Sequence, residues 1–321
     1  MVAEVDRPTL MLQHWLRILL GVELGGYLLL AWWMHSRDES LLAIVCVIGL
    51  IGALWRVSYA TGSFLVASVL RWREGRREPA GTAWAAWVGE FFARLISFNW
   101  SQPFADSAMG PEPVVAGKGM PILLVHGYCS SRGMWWRFCK RLHAAGIGPV
   151  FTIDLEPPFA PLDAFAAQLE KRIEEVCAAT GAAKVFVIAH SMGGLVTRAY
   201  MLRHAQAGSQ RIDGFVSLGS PHHGSALAVF GLGACVRQMR RYSGWLHELE
   251  QGECTSSLPK PPSWSIYTTN DDLVYPPETS RLDWADNIVV DGIGHVGLLF
   301  SPDVFSILQS ILQDKVVSRR H

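Results

Sequence analysis

Three side chains in this chain have the types needed for covalent acyl chemistry: Ser191, His295, and one of the adjacent acids Asp271 and Asp272. A serine hydroxyl at its ordinary pKa is a poor nucleophile. It becomes reactive when a histidine takes its proton and a carboxylate holds that histidine in the right tautomer. Ser191 lies in Ala189-His190-Ser191-Met192-Gly193, which matches the nucleophile elbow G-x-S-x-G with alanine in the first glycine position. Such a turn is so tight that its flanking positions carry almost no side chain, and it exposes the hydroxyl on a strained backbone. Five residues alone also suit a serine N-cap between a strand and a helix, with Gly193 and Gly194 easing their packing. The rest of the constellation, arriving downstream in a consistent order, favours the elbow.

Asp271 and Asp272 follow Ser265-Ile266-Tyr267-Thr268, a strand running into a turn, and His295 sits in the glycine-rich stretch Asp291-Gly292-Ile293-Gly294-His295-Val296-Gly297. His295 is the expected base. Asp271 is the expected acid, being nearer the strand end, and this leaves Asp272 to face solvent or cap the turn. The oxyanion that forms on the attacked carbonyl needs two fixed N–H donors, and losing one costs about 2.7–4 kcal/mol. Met192 N–H, directly after the serine, is one candidate; Tyr128 N–H, in Val125-His126-Gly127-Tyr128 after an apolar run, is the other. His126 and His190 end apolar runs and read as buried structural residues. His222 and His223 lack acids or cysteines nearby, so they are weak evidence for a metal and read as a turn lining the cleft.

These residues need elements to hold them. Apolar runs at 121–126, 150–154, 184–189, 214–218, 264–268 and 287–290 read as strands, and helical patterns fill 134–145, 162–180, 192–204 and 302–314. Strand and helix alternate, which predicts an α/β fold with a mostly parallel sheet and helices on both faces. Ser191 then falls at the carboxyl end of a central strand, where open α/β sheets bind ligands. The chain has 321 residues, half of them hydrophobic, and a formal net charge of zero, which gives no reason to expect a nucleic-acid partner. Its six cysteines are scattered without C-x-x-C spacing, so neither a zinc site nor a disulfide framework is suggested.

The apolar excess is concentrated before residue 71. The stretches 10–34 and 41–55 are separated by the polar His35-Ser36-Arg37-Asp38-Glu39-Ser40, the pattern of a helical hairpin in a membrane. Arg17 and Glu23 lie inside the first stretch at a cost of about 2.5–3.5 kcal/mol each at mid-membrane, and Arg17 is placed to snorkel. The second stretch is short for a span and is expected to continue to residue 70 as one long helix around Arg56, with a division into two spans as the alternative. A cleavable signal peptide fits less well, for want of a basic start and a small-residue cleavage site. Arg71, Arg73, Arg76 and Arg77 follow the second stretch, and the positive-inside rule puts them, and the domain beyond, in the cytoplasm. Residues 82–100 space aromatics at a helical period, suiting either the bilayer surface or packing on the domain, and the Pro- and Gly-containing 101–119 reads as a linker. The expected organisation is therefore an anchoring hairpin at 1–80, an amphipathic segment and linker at 81–118, and a catalytic domain at 119–321.

The motifs LLVHGY, AHSMGG, SLGSPHHGS, YTTNDDLV and GHVGLL, taken in this order from about Gly119 onward, resemble bacterial lipases of the α/β-hydrolase superfamily. The elbow and the histidine loop are especially similar to the smallest triacylglycerol lipases, where alanine also replaces the first elbow glycine. The resemblance implies Ser191 as nucleophile, Asp271 as acid, His295 as base, and Tyr128 and Met192 N–H as oxyanion donors. It further implies a lipid or other hydrophobic ester as substrate and no cofactor, while the apolar N-terminal stretches make the membrane a partner and the cysteine and histidine spacing leaves no metal expected. The N-terminal apolar region departs from those small lipases, and no calcium site or disulfide of the larger ones maps onto this chain. Thioesterase, acyltransferase and phospholipase chemistry remain open on the same fold, as does a non-catalytic binding module. Residues 225–262 exceed a simple crossover, and an amphipathic lid and a plain surface helix are equally expected there.

Overall fold

A computed structural model of the chain describes residues 11–76, 79–110, 112, 119–207, 211–256 and 259–318. Arg77 of the basic cluster and most of the 111–118 linker stretch lie outside the described residues. The apolar N-terminal stretches form α1 (Met11–His35) and α2 (Leu41–Arg73), joined by a short turn in which the Ser40 hydroxyl caps α2 by accepting from Ala43 N at 3.2 Å. Both helices are long and apolar enough to cross a membrane.

At 33 residues, α2 is continuous and about 50 Å long, well beyond the ~30 Å of a hydrocarbon core. Its two halves have different surroundings. Leu42, Leu50, Leu54 and Trp55 are exposed, whereas Ala60, Phe64, Ala67 and Arg71 are buried at helical spacing against the rest of the protein. The charges inside the stretches find partners: Glu23 accepts from Arg56 Nη2 at 2.9 Å, and the same nitrogen donates to Asn99 Oδ1 at 2.7 Å. Arg17 also has protein partners: its Nε donates to the Pro103 carbonyl at 2.6 Å and its guanidinium lies 5.6 Å from the Phe104 ring centroid.

Residues 82–100, open between two placements in the sequence, pack on the domain. They form α3 (Ala80–Ile96) and a π-helical turn, Ser97–Ser101, followed by α4 (Ala105–Met109). Ala86, Glu90, Ala93 and Arg94 of α3 are buried, while Trp84 and Phe92 stay exposed. The start of the stretch read as a linker is packed too: Gln102 Oε1 accepts from Ser131 N at 2.8 Å, and Asp106 pairs with Arg132.

The apolar runs become β1 (Ile122–Val125), β2 (Val150–Thr152), β3 (Val185–His190), β4 (Ile212–Leu218), β5 (Ser263–Thr268) and β6 (Asp286–Val290). They pair as one parallel sheet in the order β2-β1-β3-β4-β5-β6, with Leu124 opposite Ile188 and Ile188 opposite Val216. Side chains alternate across each strand, so the runs supply two cores. Ile122, Leu124, Phe186 and Ile188 pack with Phe138 of α5 (Trp136–Ala144) and Leu308 of α10 (Pro302–Ser318), and Ala93 of α3 joins them. Leu123, Val125 and Val187 pack on the other face with α6 (Leu162–Thr180) and α7 (Met192–Ala207). The chain leaves β1 for β2 on one side and then returns to β3 on the other, so the loops after β1 and β3 diverge at a topological switch point. Residues 225–255 are not one helix: a 3-10 turn at Ala226–Phe230, α8 (Ala234–Gln238) and α9 (Gly244–Thr255) break the segment into short pieces.

Candidate active site

Ser191 sits at that switch point. Its φ of +54° is a left-handed conformation costly for a residue with a side chain, and neighbouring bonds fix it: Ser191 N donates to Leu218 O at 2.9 Å, and Gly194 N donates to Ser191 O at 3.0 Å. The turn requires glycine at 193, since a Cβ there would fall 2.6 Å from the Val125 carbonyl oxygen. The loop after β1 comes equally close, for a Cβ at Gly127 would lie 2.8 Å from Ser191 Cβ. Tyr128 therefore follows a residue that touches the serine, and Met192 opens α7 with its side chain buried in the core.

His295 and Asp271 form a buried pair, 2% and 1% exposed, with His295 Nδ1 and Asp271 Oδ2 2.8 Å apart. Asp271 Oδ1 accepts from Leu273 N at 2.9 Å and Val274 N at 2.7 Å, so the carboxylate is held on both oxygens. With its Nδ1 on that carboxylate, the imidazole keeps Nε2 as its free acceptor. Burial opposes charging of His295, but the charge and hydrogen bond of Asp271, with Glu90 and Asp272 beyond, outweigh it and raise its pKa above the ordinary histidine value. His190 responds in the opposite direction: full burial, with His295 beside it, holds its pKa well below the ordinary value. Its Nε2 is 3.1 Å from the His295 carbonyl oxygen, to which it donates, and it acts as a strut under the loop. His126 is similarly buried and accepts from Leu155 N at 3.0 Å.

Ser191, His295 and Tyr128 line one cavity of about 450 Å³, to which Phe230 of the 3-10 turn and, from outside the sheet domain, Tyr59 and Val66 of α2 also contribute. The Tyr128 hydroxyl fastens that turn's outlet, accepting from Leu232 N at 3.1 Å and donating to Leu232 O at 3.0 Å.

Asp272 departs from its expected place. It neither faces solvent nor caps a turn; it is fully buried, paired with Arg94 of α3 and hydrogen-bonded by Ser63 of α2. His222 and His223 are engaged in other ways, His222 with Ser217 Oγ at 2.9 Å and His223 with Glu250 at 2.8 Å. The sequence does not single out Ser63, Glu90 or Arg94, and it gives Arg71 only as part of the basic cluster after α2; Glu90 and Arg94, four apart in an otherwise apolar aromatic helix, are the available signal.

Comparison with known proteins agrees with this fold. Residues 120–253 match the model of the alpha/beta hydrolase fold family. Triacylglycerol lipase of Burkholderia plantarii is 32% identical over 135 residues, 39% of this chain and 36% of that protein. Triacylglycerol lipase of Pseudarthrobacter phenanthrenivorans is 32% identical over 119 residues, 34% of this chain and 35% of that protein. The chain thus spans about a third of the length of the curated relatives it matches. Among solved structures, the mature form of a Bacillus licheniformis lipase superposes with a TM-score of 0.53 at 20% identity, covering 62% of this chain and 95% of that one. Lipase B of Aspergillus fumigatus superposes with a TM-score of 0.52 at 18% identity, covering 61% and 54%. From residue 120 onward the chain carries the α/β-hydrolase fold and is lipase/esterase-like, behind two helices long and apolar enough to cross a membrane.

Proposed function

We propose that the protein is a membrane-anchored serine hydrolase that cleaves carboxylic esters of lipids through an acyl-enzyme. In this mechanism His295 Nε2 takes the proton of Ser191 as its oxygen attacks the ester carbonyl, and Asp271 holds the imidazole and offsets its charge. The N–H groups of Tyr128 and Met192 receive the oxyanion. Collapse of the tetrahedral species expels the alcohol, which takes the proton from His295; water then attacks the acyl-serine by the same route and releases the acid. The observation that carries this reading is the left-handed Ser191 sharing one cavity with a His295 already bonded to a buried carboxylate.

The wall of that cavity supports a hydrophobic ester, being drawn from Tyr59, Val66 and Phe230. The exposed apolar surface of α1 and of the first half of α2 supports anchoring, and the arginines closing α2 support a cytoplasmic catalytic domain. Fluorophosphonate labelling of membranes containing the wild type or Ser191→Ala tests the chemistry without a chosen substrate. Loss of label in the variant is the expected result, and an unlabelled but folded wild type would refute the reading. An ester-chain-length series with added alcohol then separates hydrolysis from acyl transfer, and a C-terminal reporter active only in the periplasm tests orientation.

A further inference from the structure

The His295 side of the cavity is braced by buried charges that the reaction does not consume. Glu90 and Arg94, one helical turn apart on α3, are 0% and 5% exposed. Glu90 Oε2 accepts from Gly297 N at 2.8 Å, in the loop just beyond His295, and its Oε1 accepts from Arg94 Nε at 2.7 Å. Arg94 Nη1 donates to Ser63 Oγ at 3.0 Å and Nη2 pairs with Asp272, whose Oδ1 accepts from His295 N at 3.3 Å. The helix and loop approach so closely that a Cβ at Gly294 would lie 2.6 Å from Glu90 Oε2. On the adjoining turn, Arg71 of α2 donates to the Asp271 carbonyl at 2.7 Å. Apart from the bond between Asp272 and His295 N, each of these contacts to the 269–297 loops originates before residue 100.

A purely adhesive contact would be met as well by apolar side chains, since buried ion pairs often add little net stability. What a network of charged hydrogen bonds adds is a single defined geometry.

We propose that Glu90, Arg94 and Asp272 are positioning residues for the reaction of Ser191: they hold the His295 loop at its working distance, so the N-terminal helices frame the active site besides anchoring it. The proposal rests on the hydrolase reading above. The charged and titratable groups facing the His295 ring are Asp271, Glu90, Asp272 and His190, with Arg94 behind the two outer acids. Removing Asp272 as an anion, or Glu90, whose carboxyl is itself pushed above its ordinary value by burial against the pull of Arg94, withdraws support for the imidazolium, so the pH at which the base becomes available falls.

The test is the rate of fluorophosphonate labelling against pH for the full chain in detergent, comparing wild type, Glu90→Gln, Asp272→Asn, Arg94→Lys and Arg94→Met, with thermal unfolding followed in parallel. Misplaced catalytic groups lose about ten- to a hundredfold. The expected result is a loss of that order at the plateau for Glu90→Gln and Asp272→Asn in folded protein, with the acidic midpoint moved down, and partial rescue of Arg94→Met by Arg94→Lys. Wild-type rates and midpoints overturn the proposal, as do losses that track melting temperature alone with an unmoved midpoint. If Arg94→Met does not fold, the two acid variants decide. An unlabelled wild type instead removes the hydrolase reading itself, and the positioning proposal with it.

Discussion

The two sides of the cavity are built by different means. The serine side is self-contained: Ser191 is set by β3, by the Leu218 carbonyl of β4 and by the close approach of Gly193 to Val125 of β1, all within residues 122–218. The acid–base side is held from elsewhere. The turn carrying Asp271 and the loop carrying His295 lean on Arg71 of α2 and on Glu90 and Arg94 of α3. The family match ends at residue 253, so it contains the first side and neither partner of the second. A strand-to-helix elbow is specified by local sterics, whereas the loops after β5 and β6 take their geometry from whatever packs behind them.

The largest effect expected on this contrast comes from Ser191→Ala, which should abolish fluorophosphonate labelling while leaving the circular-dichroism melt in place. Asp271→Asn should come next, at about 10⁴-fold in labelling rate if the wrong histidine tautomer is the cause. Asp272→Asn should cost far less, and equal losses at the two positions would erase the distinction between orienting and positioning acids. Phe64→Ala, in the docked half of α2, should cost about 3–5 kcal/mol, seen as labelling lost at a lower temperature. An unchanged temperature profile would mean that the N-terminal helices do not support the second side.

The pH profile sharpens the comparison further. His295 must be neutral to accept a proton, and its pKa is raised above the ordinary 6.5, so labelling should rise with pH through a midpoint above that value. A midpoint below 6.5 would remove the carboxylates as its cause. The smallest effect belongs to the exposed half of α2: Leu50→Ala, with its side chain 59% exposed, should leave labelling in detergent unchanged. A loss there would show that the free end of the hairpin also shapes the site.

Much of this was legible before the structure. The apolar run from 185 to 189 had to be a buried strand, and a small residue on either side of the His190-Ser191-Met192 turn announced the elbow, because both depend on near neighbours in the chain. The placement of Asp272 was not legible. Adjacent strand-end acids look alike until one is found against His295 and the other against Arg94, 178 residues away in sequence. Glu90 and Arg94 are similarly ambiguous: the pair fits a solvated helix face as readily as a buried brace.

By itself the amino-acid sequence determined the six parallel strands, the serine turn, the histidine in its glycine-rich loop and the long apolar helices, since periodicity and turn sterics act over a few residues. Only the tertiary structure decided that α2 leaves its exposed apolar stretch to become a wall of the cavity, and that α3 turns its charges inward beneath His295. The reason is physical. A buried charge is tolerated only where a partner meets it, and which partners meet is settled by packing between segments that are distant in sequence.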